Sequence, residues 1–347
     1  MMGSVRTALV GFGYAGQTFH APLIAATPGL DLTAIVSAHP EKVRSPWPDV
    51  AVLPDIAAAL ADPAIDLIVI ATPNDTHADL ARRALAAGKH VVVDKPFTVT
   101  LADAKELAVL EGQSAGLLSI FHNRRWDADF LTLADLVQQG TLGRITQFES
   151  HFDRFRPVPR DRWRERVDVV GAGLWHDLGP HLIDQMLCLF GRPATIFADI
   201  TTQRSGNAAP DYFHAILTYK DGLRAILHGS MLTPDSGLRF AVHGDGGSYV
   251  KYGLDSQEDS LKAGAKPGCD GWGQDLSPGT LTCVVDEKLR TENLPGLAGD
   301  YRHYYAAVEA AISNGAGNPV TAQEAVAVME LLEAGYDSAR QARTITL

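Results

Sequence analysis

A doubly wound parallel α/β sheet, followed by a second domain on a large and mostly antiparallel open sheet, is the fold class this sequence predicts. Three observations carry it. Up to about residue 122, short apolar runs alternate with longer helix-patterned segments. A glycine-rich turn, Gly11-Phe12-Gly13-Tyr14-Ala15-Gly16, follows the first run directly. After Phe121 the alternation stops, and from about Thr195 to Val250 the chain breaks into β-type runs punctuated by turn residues.

The apolar runs are Thr7–Val10, Leu32–Val36, Leu67–Ala71, His90–Val93 and Leu117–Phe121. Several are continuous rather than alternating, as strands buried on both faces require. Helical patterns near Gly16–Ala26, Asp55–Leu60, Thr76–Ala87 and Leu101–Gly116 separate them, with Asp75 as the expected N-cap of the third and Gly88 as its stop. Strand and helix in strict alternation give a parallel sheet with helices on its faces. Beyond it come an expected helix near Ala128–Gln139 and a partly alternating run from Ile145 to Phe155. A helix near Gly173–Phe190 follows, in which Pro180 implies a local irregularity. Lys220-Asp221-Gly222 and Gly244-Asp245-Gly246-Gly247 read as turns between antiparallel strands. Residues 253–280, rich in Gly, Ser, Asp and Pro, read as a long loop, and helices near Tyr301–Ser313 and Ala322–Ala342 close the chain. The boundary falls after residue 123, giving domains 1–123 and 124–347.

A length of 347 residues suits two domains, and 46% hydrophobic with 20% charged residues suits an ordinary globular protein. A net charge of −11 argues against nonspecific grip on nucleic acid or an anionic membrane, both of which need surplus Lys and Arg. The cysteines Cys188, Cys269 and Cys283 form no close pair, which argues against a disulfide framework or a Cys-rich zinc site and fits a reducing cytoplasm. The twelve histidines are scattered, and no His/Cys/Asp/Glu group shows ligand spacing, so no metal is expected. Val5–Val10 is too short for a signal h-region, and no apolar run approaches the ~20 residues that span a bilayer.

The glycine turn sits where a dinucleotide cradle must, after a strand and opening a helix. Gly11 permits the tight turn, Gly13 lets backbone approach a pyrophosphate, and Gly16 allows helix and strand to pack closely, with Phe12, Tyr14 and Ala15 between them. An NAD enzyme usually carries an acid at the end of the second strand, to bond the ribose 2′-hydroxyl. Here Ser37-Ala38-His39 stands there, with no carboxylate until Glu41. Ser37 can donate to a 2′-phosphate, and His39, Lys42 or Arg44 can add positive charge, so NADP is favoured over NAD. Thr72, Pro73 and Asn74 follow the run Leu67–Ala71 on the ligand edge of such a sheet, and His77 follows as a structural or cofactor-wall residue.

Asp94-Lys95-Pro96 ends the next run on that same edge. A lysine there reaches toward a nicotinamide and a substrate oxygen, and crowding by a cation or partial desolvation suits it to acid–base work. Asp177 and His181 lie four apart in the helix-patterned stretch Gly171–His181 and so share a face. His181 titrates in the range needed to pass a hydroxyl proton, and Asp177 can bind substrate hydroxyls. Asp184, one turn on, ranks below this pair. A phosphate cradle combined with such a lysine and an Asp/His pair points to nicotinamide-dependent hydride chemistry.

These residues carry a family resemblance over essentially the whole chain. The sequence resembles the glucose–fructose oxidoreductase, inositol dehydrogenase and rhizopine catabolism (Gfo/Idh/MocA) family. That resemblance implies a Rossmann domain, an α+β domain with an open sheet, a Glu-Lys-Pro motif matched by Asp94-Lys95-Pro96, and an Asp-x-x-x-His pair matched by Asp177 and His181. Asp replaces Glu at position 94, which shortens the carboxylate by one methylene and keeps its charge. Phe121–Asp127, Asp129–Thr132, Arg156-Pro157 and Arg162–Glu165 look like the bacterial subgroup that includes NADP-dependent scyllo-inositol dehydrogenase. The subgroup implies reversible oxidation of an inositol-like or sugar secondary alcohol to a ketone, with Lys95, Asp177 and His181 toward substrate. Arg124 and Asn123, at the end of the last parallel strand, are read into the active-site cleft, toward substrate and cofactor respectively, and Arg162 or Trp163 at the substrate mouth. The family also implies a homodimer or homotetramer formed through the open sheet.

The segment Arg154–Arg166 holds six arginines interleaved with Asp161 and Glu165 and flanked by Asp153 and Asp168. It reads first as a salt-bridged loop, since the acids cancel a field that nucleic acid would need. In the expected chemistry His181 takes the hydroxyl proton and Lys95 bonds the same oxygen, two roles that sequence alone leaves exchangeable. Two alternatives on the same fold are a cofactor-binding regulatory protein without turnover and an NAD-dependent glycosidase.

Overall fold

In the computed structural model, which describes residues 4–347 apart from Asp161, Asn207 and Ser236, the chain divides into two compact units. The first runs to Trp126 and takes in Gln257–Trp272 and Asp300–Ala327; the second holds Asp127–Ser256, Gly273–Gly299 and Val328–Leu347. The sequence reading put all of 124–347 in one domain, whereas two later segments fold with the first unit. The reason is aromatic packing. Tyr301, Tyr304 and Tyr305, on and beside the helix Arg302–Asn314, are fully buried, and Phe121 meets the Tyr304 and Tyr305 rings at 5.0 and 5.7 Å. Periodicity shows that a helix has an apolar face, not which sheet receives it.

The first unit is built on β1 (Val5–Val10), β2 (Leu30–Val36), β3 (Ala51–Leu53), β4 (Leu67–Ile70), β5 (His90–Asp94) and β6 (Leu118–Phe121). All pairs are parallel, in the order β3-β2-β1-β4-β5-β6. This is the Rossmann order, and the reversal between β1 and β4 opens a crevice at the strands' carboxyl ends. Every residue of β4 and β6 is buried, which explains their unbroken apolar runs. The edge strand β3 escapes sequence reading because it is three residues long and partly exposed. The helix His77–Ala86 starts from a 3₁₀ turn, Asn74–Thr76, in which Thr76 Oγ1 donates to Pro73 O at 2.7 Å. Asp75, the expected N-cap, lies inside that turn; Gly88 does mark the stop, at φ +72°.

The second unit holds β7 (Ile145–His151), β8 (Thr195–Thr201), β9 (Tyr212–Thr218), β10 (Arg224–Ser230), β11 (Leu238–Gly244), β12 (Gly247–Tyr252), β13 (Gly279–Val285), β14 (Lys288–Leu294) and β15 (Ile345–Thr346). They run in the order β14-β13-β12-β11-β7-β10-β9-β8-β15. β7 and β10 pair in parallel and the other pairs are antiparallel. Alternation along β9 buries Phe213, Ala215 and Leu217 and leaves Tyr212, His214 and Ile216 half-exposed. One face thus meets the helix Leu174–Phe190, with Trp175 against Phe213 at 5.0 Å, and the other is open. That helix continues through Pro180, so the expected irregularity does not interrupt it. Its flanking Leu178, Leu182 and Ile183 are buried, and this packing offsets the one backbone bond that proline removes. Residues 253–280 are not all loop: Gln257–Lys262 is helical. Among the described residues no helix is long and apolar enough to cross a membrane.

Arg239 is among the second unit's fully buried charges. Its guanidinium donates to Asp129 Oδ2 at 3.0 Å, Ser150 Oγ at 2.9 Å and Gln185 Oε1 at 2.6 Å, with both charged side chains fully buried. Removing one partner of such a pair leaves the other charge stranded. Arg239→Ala is expected to destabilise this unit by about 3–5 kcal/mol, read as a lowered urea midpoint.

Candidate active site and cofactor cradle

The glycine turn leaves the end of β1 and enters a helix that has a π turn over Gly16–His20 and continues as Ala21–Ala25. A Cβ on Gly11 would stand 2.7 Å from Ala71 O across the β1/β4 crevice, and Gly11 has φ +99°. A Cβ on Gly16 would stand 2.3 Å from Gly11 O, so helix and turn touch through bare backbone. Gly13 differs: nothing lies within 4 Å of its absent Cβ. Gly13 is exposed, so its backbone is open to approach, and a dinucleotide pyrophosphate fits that cradle. Ser37 follows β2, and its Oγ accepts from His39 N–H at 3.1 Å. His39 itself is exposed, 3.4 Å from Glu41.

At the end of β4, Thr72 Oγ1 and Thr76 Oγ1 share a hydrogen bond of 2.6 Å, and Asn74 is buried beside Pro73. His77 is fully buried, its Nδ1 3.0 Å from Pro96 O and its Nε2 3.0 Å from Thr72 O. It clamps the ends of β4 and β5 together. Burial lowers its pKa, more than Asp94 and the carbonyls raise it, which makes it a poor resident cation.

β5 delivers Asp94, Lys95 and Pro96 to the same carboxyl edge, with a cis Lys95–Pro96 peptide and Lys95 partly exposed. The Asp94 carboxylate accepts from Lys95 N–H at 2.8 Å and lies 3.6 Å from His20 Nε2. His20 Nδ1 meets Tyr305 Oη at 2.6 Å. Burial would raise the Asp94 pKa, but His20, Lys95 and His77 outweigh it and hold the carboxyl below its ordinary value. The chain Tyr305–His20–Asp94 therefore fixes the backbone at Lys95. Sequence reading missed Tyr305 and His20; neither has a local signal, since each acts through a partner distant in sequence.

A second unforeseen element covers the glycine turn. Glu258, on the Gln257–Lys262 helix, accepts from Tyr14 Oη at 2.8 Å and pairs with Arg124 at 2.8 Å and Lys262 at 3.0 Å. Burial opposes its charge, yet Arg124, Lys262 and Tyr14 together bring its pKa down to about 2. Burial and this carboxylate push the Tyr14 hydroxyl up to about 12. Arg124, expected to face substrate, thus has its guanidinium engaged by Glu258. Asn123 is buried in the turn after β6.

In the second unit Asp177 and His181 lie on the continuous helix Leu174–Phe190, one turn apart on a shared face. His181 and Asp184 are buried. Arg154 and Arg164 approach the Asp177 carboxylate at 4.0 and 3.7 Å, and Arg164 stacks on Trp163 at 4.4 Å. The arginine-rich segment is salt-bridged as expected: Arg166 pairs with Asp168, and Glu165 with Arg204. Asp161 lies outside the described residues.

Gly13→Ala is expected to leave folding stability within about 0.5 kcal/mol while weakening dinucleotide binding at least about tenfold, by calorimetry and fluorescence titration. The Glu258 clasp has a defined pH window. Its pKa is lowered on folding from 4.5 to about 2, so its stabilisation is complete above 4.5 and lost as pH falls toward 2. The stability difference between the protein and Glu258→Gln, up to about 3 kcal/mol, should hold above that range and shrink below it.

Comparison with known proteins agrees with this architecture. Residues 5–122 match the model of the oxidoreductase family's NAD-binding Rossmann fold, and residues 134–347 that of its C-terminal α/β domain. The chain is 52% identical to the uncharacterized oxidoreductase YdgJ of Escherichia coli over the full length of both. It is 38% identical to the NADP-dependent scyllo-inositol 2-dehydrogenase IolW of Bacillus subtilis, over 99% of this chain and 96% of that one. A solved structure from Yersinia pestis, described as an oxidoreductase, superposes with a TM-score of 0.96 at 50% identity, over 100% of this chain and 98% of that one. With both domains matched and the Rossmann cradle in place, the chain belongs to the Gfo/Idh/MocA family of NAD(P)-binding oxidoreductases.

Proposed function

We propose that this oxidoreductase interconverts a secondary alcohol of an inositol or sugar with its ketone, in the cytoplasm, using NADP in preference to NAD. The observation that carries the reading is Lys95, delivered by β5 to the ligand edge of the sheet with its backbone held by Asp94. The likeness to IolW supports the substrate class and the cofactor. Ser37 supports the cofactor as well: its oxygen accepts from His39 N–H, which leaves its own O–H to donate to a 2′-phosphate. Exposed Lys42 and Arg44 lie just beyond.

Gly11, Phe12, Gly13, Tyr14, Ala15 and Gly16, with Ser37, His39, Thr72, Pro73, Asn74, Asp94, Lys95 and Asn123, would hold the dinucleotide, and His77 backs that wall from its buried place between Thr72 and Pro96. Bound there, the dinucleotide supplies the hydride acceptor or donor. His181 holds the proton of the reacting hydroxyl at its imidazole, and Lys95 hydrogen-bonds the same oxygen and stabilises charge developing on it. Asp177 orients further hydroxyls, with Arg124 and Trp163 at the substrate. The half-exposed sheet face, which presents Phe197, Ile216 and Ile226, would be covered by self-association into a dimer or tetramer.

The test is nicotinamide absorbance with NADP and NAD across inositols, aldoses and keto sugars. Turnover of a polyol or sugar with NADP is expected, and Lys95→Ala and His181→Ala should each lower kcat/KM at least about 100-fold while dinucleotide still binds. Wild-type turnover in either variant overturns the assignment. Dinucleotide binding without any turnover would instead indicate a regulatory protein, and non-exchanging NAD a glycosidase.

A further inference from the structure

The open face of the second unit's sheet carries a separate cluster. Glu149 and His151 on β7 and Asp153 just after it alternate with buried Ser150 and Phe152, so the three stand on one face. The parallel pairing of β10 sets His228 opposite His151, and β9 sets His214 opposite His228. His151 Nδ1 lies 3.5 Å from Asp153 Oδ2, and His228 Nε2 lies 3.4 Å from Asp153 Oδ1. One donor atom from each of these three residues falls within 4.8 Å of the others.

We propose that His151 Nδ1, the Asp153 carboxylate and His228 Nε2 bind one divalent first-row transition cation, with Zn²⁺ the best match. Three observations support this. First, tetrahedral ligands about 2.0–2.1 Å from zinc stand roughly 3.3 Å apart, and each imidazole lies near that distance from one carboxylate oxygen of Asp153, at 3.5 and 3.4 Å, with a donor atom of all three residues within 4.8 Å of the others. An N–H···O hydrogen bond would normally close to about 2.7–3.2 Å. Second, Asp153 Oδ1 has no hydrogen-bond partner, although the side chain is only 6% exposed and aimed at His228. A carboxylate oxygen held so deeply normally has a donor or a metal. Third, each imidazole has its other nitrogen held: His151 Nε2 lies 3.2 Å from Glu149 Oε2, and His228 Nδ1 lies 3.3 Å from His214 Nδ1. Metal-bound histidines are oriented in this way, by a carboxylate or another acceptor behind the ring.

Two imidazoles and one carboxylate favour zinc, cobalt, nickel or copper over Mg²⁺ and Ca²⁺, which prefer all-oxygen shells. The His151 and His228 side chains keep some exposure, 14% and 17%, which provides an entry path, and a fourth position would be filled by water. The sequence reading expects no metal because no histidines share ligand spacing. Spacing along the chain does not show the group, because strand pairing brings His228 to the cluster from β10. The site would tie β7 to β10, and it stands whether or not the chain turns over a polyol.

The test uses tag-free full-length protein stripped with EDTA. Calorimetric titration should show one Zn²⁺ per chain and no comparable Mg²⁺ binding, and Co²⁺ should give the visible bands of a four- or five-coordinate site. Asp153→Asn and His228→Gln should each weaken Zn²⁺ binding at least about tenfold while far-UV circular dichroism is kept, and Glu149→Gln should weaken it less. If a variant fails to fold, X-ray absorption on zinc-loaded wild-type protein decides, with a nitrogen and oxygen shell including two imidazoles expected. Substoichiometric binding, unchanged affinity in Asp153→Asn and His228→Gln, or sulfur in the zinc shell would overturn the proposal.

Discussion

The close approach of backbone to backbone at the β1/β4 switch point sets the terms for the rest of the first unit. Gly11 has no room for a side chain against Ala71 O, and Gly16 has none against Gly11 O. These contacts hold the turn tight enough for the following helix to point its first amides at the crevice. Gly13 then stands apart, because what it faces is open space. Steric exclusion holds at Gly11 and Gly16, while Gly13 leaves its backbone open to a ligand's approach.

Around that cradle, charge is held by distant partners. Asp94 accepts from the next residue's amide and faces His20 from the helix after the glycine turn. Tyr305, from a helix late in the chain, completes the support. Glu258 likewise returns from far along the chain to bond Tyr14 in the glycine turn and to pair with Arg124. Both carboxylates stay ionised against the cost of burial because more than one donor or cation faces each of them. The second unit follows the same logic at Arg239, where four acceptors on other elements satisfy one guanidinium.

The two faces of the nine-stranded sheet have different uses. One is filled by apolar side chains under the helix that carries Asp177 and His181, so its packing positions those residues. The other keeps its alternate positions half-exposed, and there strand register alone lines up His151, His228 and His214 in a row. A one-residue slip of β10 would turn His228 into the core, so register is as decisive for that cluster as ligand chemistry.

The sequence by itself determined what depends on neighbours along the chain. Unbroken apolar runs mark the buried strands, the glycine spacing marks the turn, and Lys95 and the Asp177/His181 pair follow from their places at a strand end and on one helix face. Family membership and fold class were legible from these alone. Only the tertiary structure decided that Gln257–Trp272 and Asp300–Ala327 fold with the first unit, that Tyr305 and His20 stand behind Asp94, and that Glu258 engages Arg124. The physical reason is range. Periodicity and turn chemistry are local, whereas a buried charge or a ligand set is completed by whichever distant strand or helix the packing brings within a few ångströms.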